Sequence, residues 1–340
     1  VSGLEVALLD PFDDATFAPW HAVRAAALED AVGADAAQVY DLDETRVQWQ
    51  EPSDGKERIG YLGRAGGEVV VAGALVLPQR DNLTKAFVEV AVAPTHQRRG
   101  HGRAMLEHLE TTAAAAGRSL LDAEVSWRYE HGTDGTGSRD VAFARAAGFA
   151  LGLSDVQRWL DVPVDAVLLD ALAAEAAQHH AGYEIRSWVG DVPDELAEGW
   201  LALDASLTTE APTGDIEVEP LDVDVALLRQ VEANVAKQGR TPFHTVALDA
   251  DGTVVAYSMI VHGRTTTAFQ WGTLVHRDHR GHRLGMAVKV ANHRLLEAER
   301  PDVVRVSTWN AEVNDHMIGV NRRMGFYPVS RMGEFQKRLT

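Results

Sequence analysis

Runs of apolar residues punctuated by turn signals divide the chain into short strands and helices, and the divisions come in the same order twice. "EVVVAGALVL" (68–77) follows the turn "AGG", and "TVVAYSMIV" (253–261) follows "DADG". Apolar runs of this length bounded by turn residues predict strands. A second extended run comes next in each half, at 85–94 and 267–277, and then a turn rich in glycine and arginine. Helical periodicity follows. One pattern, "RAMLEHLETTAAAAG", stops at Gly117; the other, "GMAVKVANHRLLEAERP", stops before Pro301. Strands are expected again in "SLLDAEVSW" and "DVVRVSTWN", and short helices before Gly148-Phe149 and Gly325-Phe326.

The spacing is consistent. Val92 and Val275 lie 183 residues apart, as do Gly102 and Gly285, while Gly148 and Gly325 are 177 apart. Initial strands near Glu5 and Glu184 also correspond. Repetition of a full element order predicts two homologous domains of mixed α/β (α+β) class. The expected boundaries are 1–161 for the first domain and 183–340 for the second, with an alanine-rich helical linker over 162–182.

Composition narrows the function. The 340 residues carry a formal net charge of −18, which argues against a nucleic-acid partner, because such affinity comes largely from neutralising phosphates. No run is apolar enough to span a bilayer, and the first residues, "VSGLEVALLDPFDDATF", lack the basic start and apolar stretch of a secretory signal. A cytoplasmic protein with no membrane partner is expected. There is no cysteine, which excludes disulfides and a thiolate nucleophile. His276, His279 and His282 alternate with Arg277, Arg280 and Arg283, whose charge opposes a metal ion, so no metal is expected.

Against this acidic background the turn "QRRGHG" (97–102) concentrates positive charge and bare backbone. A loop that ends a strand and opens a helix presents unpaired N–H groups at the positive end of the helix dipole, an anion site. Gly100 and Gly102 permit close approach, and Gln97, Arg98, Arg99, His101 and Arg103 can add contacts to a phosphate or pyrophosphate. The P-loop pattern is absent, and Met105 stands where a dinucleotide fingerprint has its third glycine. Taken alone, the turn also fits a solvated basic helix start.

With the surrounding order of elements, the motif resembles the GNAT superfamily of acyl-CoA-dependent N-acetyltransferases, whose pyrophosphate loop reads Q/R-x-x-G-x-G/A. Gln97 to Gly102 fit every fixed position. In the second copy Arg280 and Gly285 match, Arg283 replaces the first glycine, and Gly281 two residues earlier is available to the turn. The stretch "TWNAEVNDHMIGVNRRMGF" (308–326) is most similar to tandem, mycothiol-synthase-like GNAT proteins of actinobacteria.

The resemblance implies two central sheets, mixed but mostly antiparallel and flanked by helices, that bind acetyl-CoA (coenzyme A). It implies a primary amine of a small molecule as acceptor, attacking the thioester directly. Glu89 stands where many relatives place their general base, and backbone N–H groups near Val90 and Val92 are the implied oxyanion donors. Leu274, Val275, Arg280, Gly281, His282, Arg283, Leu284 and Gly285 are the corresponding cofactor positions of the second copy. Asn310, Asn314 and Asn321 add polar groups there, although helix capping explains Asn314 equally well. The second copy has Gly272 in place of Glu89, leaving Asp278, a remote carboxylate or a water chain as its base. The family's tyrosine acid is replaced by Ala144 and Asn321.

A catalytically inactive tandem that binds acyl-CoA or scaffolds a partner is the alternative, and an unrelated nucleotide binder a third reading. The segments expected to wall the acceptor clefts, 28–55 and 208–226, are acidic, which favours a cationic amine. Solvated loop charge is the competing explanation. A monomer or homodimer is expected.

Overall fold

The structure is a computed structural model that describes residues 3–51 and 55–339. In chain order its elements are β1 (Glu5–Leu8), α1 (Asp14–Val32), α2 (Leu42–Gln50), β2 (Lys56–Ala65), β3 (Glu68–Pro78), β4 (Lys85–Val92), α3 (His101–Ala115), β5 (Leu120–Arg128), α4 (Arg139–Ala146), β6 (Ala150–Asp161) and α5 (Ala166–Ala177). Then follow β7 (Glu184–Val189), α6 (Asp194–Glu210), α7 (Val225–Lys237), β8 (Thr241–Leu248), β9 (Val254–His262), β10 (Thr267–Val275), α8 (Leu284–Glu299), β11 (Arg305–Ala311), α9 (Asp315–Met324) and β12 (Tyr327–Arg338). Both halves follow the same succession, as the sequence pattern implies, and their sheets are mostly antiparallel, as the resemblance implies.

The chain forms two compact units. Unit 1 comprises Val1–Val156, Thr213–Glu219 and Val329–Thr340; unit 2 comprises Gln157–Pro212 and Pro220–Pro328. The sequence repeat and the compact units therefore differ at their ends. In unit 1 the strand order is β1-β2-β3-β4-β5-β12, with the first part of β6 beyond β12. In unit 2 the order is β7-β8-β9-β10-β11, with the last part of β6 beyond β11. The final strand of the second repeat, β12, thus serves unit 1, and that of the first, β6, is shared between the two units. The segment 162–182, expected as a linker, supplies α5, whose Leu169, Leu172 and Ala176 belong to a core that includes Ile260, Val290 and Met324 of unit 2.

Alternation along the strands builds each core. In unit 1, Ala86 and Val88 of β4, Leu121 and Trp127 of β5 and Phe335 of β12 are buried against Met105 and Leu109 of α3. The intervening residues, Glu89 on β4 and Asp122 and Glu124 on β5, lie on the opposite face of the sheet.

Candidate active site

In unit 1 the strand-to-helix turn has the form the sequence anticipates. Arg98 and Gly100 both lie in the left-handed region, with φ of 62° and 87°. No side chain caps α3; the first amide bonded back within it is that of Ala104, to the Gly100 carbonyl at 3.1 Å. The amides of the opening turn are therefore donors without intrahelical partners. A Cβ added at Gly102 would meet Val92 Cγ2 at 3.2 Å, so a larger residue there would crowd the strand. Gln97 donates to the Val92 carbonyl at 3.3 Å, and Arg99 to the Thr95 carbonyl at 3.0 Å, so both tie the loop to its own backbone. Arg98 and Arg103 are exposed and have no ion-pair partner among the described residues.

Beside this turn the sheet opens. β4 and β5 pair in parallel only from Lys85↔Leu120 to Phe87↔Asp122. In an antiparallel ladder, bonded and non-bonded pairs alternate. The Ala93 N–H donates to Val70 at 2.9 Å, and Val71↔Val92 is the neighbouring pair, so this phase leaves Val90 and Val92 unbonded to β3. Their amides point to the side from which β5 has diverged. The opening forms part of a cavity of about 1060 Å³ lined by Glu89, Val90, Val92, Gln97, Arg98, Gly100, His101, Gly102 and Arg103. Of the residues proposed from sequence for this loop, only Arg99 is not on the lining. His101 is buried, with Nδ1 lacking a partner.

The cavity also holds groups that the sequence did not single out. Arg24 of α1 grips Glu89 with two hydrogen bonds, Nε to Oε1 at 2.6 Å and Nη2 to Oε2 at 2.7 Å, and its guanidinium lies 4.5 Å from the Trp20 ring centroid. Burial alone would lower the Arg24 pKa, but the charge and hydrogen bonds of Glu89 outweigh it and the net shift is upward. Glu89 thus has the arginine partner of a structural sheet glutamate.

Glu124 has no such partner among the described residues. It lies on β5 two residues past the last rung with β4, directly opposite Glu334 of β12. Its side chain is exposed on the cavity lining, and the protein around that opening, then the charges of Glu334, Glu89 and Asp155, push its pKa up to about 7, with Lys56 opposing.

Unit 2 keeps the same backbone course with the residues exchanged. Gly281 and Arg283 have φ of 88° and 56°, at the positions of Arg98 and Gly100. Arg280 approaches the Val275 carbonyl at 3.5 Å, as Gln97 approaches that of Val92. A Cβ on Gly285 would meet Val275 at 3.5 Å. Leu284 opens α8 and is buried.

The charges of this second loop, however, are already matched. Arg277 and Arg280 both pair with Glu210, the latter at 3.0 Å, and Arg283 lies 3.5 Å from Glu175, which also pairs with Arg323. His282 Nδ1 is 3.2 Å from the His179 carbonyl. The strand phase, set by His276 N–H to Val255 at 2.8 Å, leaves Thr273 and Val275 unbonded to β9. Leu274 is instead in register with Tyr257 as a bonded pair and is buried, so it does not offer its amide.

Gly272 has a steric reason. A Cβ there would lie 2.5 Å from the Tyr257 hydroxyl, which donates to Asp204 at 2.7 Å. Burial and the Asp204 charge hold the Tyr257 pKa well above its usual value. An Asp–Tyr pair thus fills the region where unit 1 has its Arg–Glu pair. Asp278 is exposed beside His276. Asn321 is fully buried, accepting from Lys289 Nζ at 2.8 Å and donating to Asn310; Asn314 caps α9 through the Met317 N–H at 3.1 Å. Lys289 is itself buried, which lowers its pKa to about 7.

Gly272→Glu is therefore expected to destabilise unit 2 by roughly 3 kcal/mol through overpacking and an unpaired buried charge, without creating a second active site. Differential scanning calorimetry with a thiol-release assay would check both parts.

Several carboxylates of the acidic segments are engaged internally. Asp30 pairs with Arg139, Asp43 with Arg46, Glu217 with Arg338, and Glu219 accepts from the Asn82 N–H at 3.0 Å. Residues 52–54 lie outside the described residues, as do the side chains of Thr208 and Thr209. None of the described helices is long and apolar enough to cross a membrane, and no described group of three or more His, Asp or Glu residues could hold a metal ion.

Comparison with known proteins agrees with this geometry. Residues 20–128 match the model of the acetyltransferase (GNAT) family. No curated protein matches the chain in sequence. Among solved structures, a tandem GNAT protein from the clavulanic acid biosynthesis pathway is similar at 29% identity and TM-score 0.79, with 98% of each chain covered. A GCN5-related N-acetyltransferase from Sphaerobacter thermophilus shares the fold at 14% identity and TM-score 0.65, covering 98% of this chain and 95% of the other. A glucosamine N-acetyltransferase region of a fungal multi-domain β-N-acetylglucosaminidase does so at 15% identity and TM-score 0.66, over 99% of this chain and 38% of that one. Residues 20–128 thus carry a GNAT acetyltransferase domain, and along its length the chain has the fold of a tandem GNAT protein.

Proposed function

We propose that unit 1 transfers an acetyl or other short acyl group from its coenzyme A thioester to a primary amine of a small molecule. One observation carries the reading. The uncapped mouth of α3, the free guanidinium groups of Arg98 and Arg103 and the unpaired amides of Val90 and Val92 all border a single cavity. The residues fit the carrier: the amides of the α3 opening turn and the two arginines suit its diphosphate, and the Val90 and Val92 amides suit its pantetheine arm and the charge developing on the thioester oxygen. The acceptor nitrogen forms the N–C bond as the C–S bond breaks. A thiol, with a pKa of about 8.5, leaves without a dedicated acid, consistent with Ala144 at the family's tyrosine position.

The cationic-amine preference loses part of the support of the acidic loops, several of whose carboxylates have internal partners. What remains for it is the carboxylate face of β5 and β12. The similar tandem protein belongs to a small-molecule pathway, which accords with a small acceptor. Action in the cytoplasm, as a monomer or homodimer, completes the proposal.

The second reading, a non-catalytic acyl-CoA module, is favoured for unit 2 alone, because Glu210 and Glu175 already neutralise its loop. Free-thiol release from acetyl-CoA in the presence of a panel of primary amines tests the function. Amine-dependent release is expected, and its absence across the panel, with coenzyme A still bound, would leave the non-catalytic reading for both units.

A further inference from the structure

Two carboxylates flank the point where β4 and β5 part. Glu89 and Glu124 each lie two residues beyond the last shared rung, Phe87↔Asp122, on the same face of the sheet. Their surroundings push them into different roles. Glu89 is clamped by the two Arg24 hydrogen bonds, which engage both of its carboxylate oxygens. Glu124 borders the cavity with no bonded partner among the described residues. Across the strand register it meets Glu334, with side chains directly opposite at about 5 Å between Cβ atoms.

We infer that Glu124, set against Glu334 of the final strand, is the catalytic base that takes the proton of the acceptor ammonium in unit 1. The inference rests on the acyl-transfer reading above. The groups facing Glu124 are Glu334 from β12, Glu89 from β4 and Asp155 from β6, all disfavouring its charge, and Lys56 from β2, favouring it. Glu334 is pushed up to about 7 as well, by its own burial and by Asp155 and Asp122, against Lys85. Like charges on facing rungs disfavour each other's ionised form, so the pair holds protons more readily than a lone carboxylate does. A base poised near the working pH is the effective kind.

The steps balance. The ammonium gives one proton to the Glu124 carboxylate and becomes a free amine. Its nitrogen attacks the thioester carbon, forming N–C while C–S breaks. The second nitrogen proton ends on the departing sulfur, giving the amide and a thiol. Glu124 then releases its proton to solvent. Glu334 touches no reactant in this scheme; it positions the proton affinity of Glu124.

The test combines kinetics with side-chain titration by carbon NMR of glutamate carboxyls. Glu124→Gln is expected to lower kcat/KM about 100-fold or more at pH 7, with coenzyme A affinity unchanged within about twofold. It should also remove a carboxyl resonance titrating near pH 7. Glu334→Gln removes the facing charge, so the rising limb of kcat/KM should move to lower pH while turnover persists. A merely structural glutamate would not move that limb. Three outcomes overturn the inference: Glu124→Gln keeping kcat/KM within about threefold, an unmoved limb in Glu334→Gln, or no glutamate carboxyl titrating above about pH 6. Should wild type show the neutral resonance yet release no thiol with any amine, the acyl-transfer reading fails and the base role falls with it; thiol release without the resonance overturns the base role alone.

Discussion

A chain ending at Pro328 should lose both the cooperative unfolding of unit 1 and its affinity for coenzyme A. Residues 330–338 of β12 pair antiparallel with the whole of β5, Ser330↔Arg128 through Arg338↔Leu120. Phe335 is fully buried against the α3 side of the sheet, and Lys337 bonds Glu110 of α3 at 2.7 Å. Without β12 the flank of β5 becomes a bare strand edge, which favours association over folding. Phe335→Ala grades the effect: a buried aromatic reduced to alanine costs about 3–5 kcal/mol. Calorimetry and coenzyme A titration on both variants check this. Retention of the unit 1 transition in the truncated chain would mean that the final strand is dispensable.

Reversing the two free charges of the first loop should have the next largest effect. The double variant Arg98→Glu, Arg103→Glu is expected to bind coenzyme A at least about 100-fold more weakly than wild type. A hydrogen bond to a charged group contributes about 1.5–3 kcal/mol, and each 1.4 kcal/mol is a factor of ten, so losing two such contacts suffices before any repulsion is counted. The matching variant in unit 2, Arg280→Glu with Arg283→Glu, should leave the affinity unchanged within about twofold, because those side chains face Glu210 and Glu175. Isothermal titration calorimetry at fixed ionic strength separates the two. Equal losses from both pairs would show that the second loop also takes up the carrier.

What the sequence made legible was local. The order of strands and helices and the turn at 97–102 follow from period and spacing over a few residues, and the family resemblance pointed to the amides near Val90 and Val92. The missed features join distant residues. Arg24 finds Glu89 across 65 positions, and Glu210 reaches Arg277 across 67. Glu124 reads on β5 as an ordinary outward residue of an alternating strand; only the arrival of β12 opposite it makes it distinctive. Strand exchange leaves no trace in a repeat, because both copies keep their element order whichever partner each last strand finds. Gly272, legible as a missing acid, turned out to be a space requirement of Tyr257.

The two loops also show how loosely a backbone course binds its letters. One copy sets arginine then glycine at its pair of left-handed positions, and the other sets glycine then arginine, with φ between 56° and 88° throughout. Pattern matching keyed to where the glycines stand will therefore recognise the first copy and pass over its twin. In proteins with duplicated halves, the fainter half is better traced by its dihedral angles than by its alphabet.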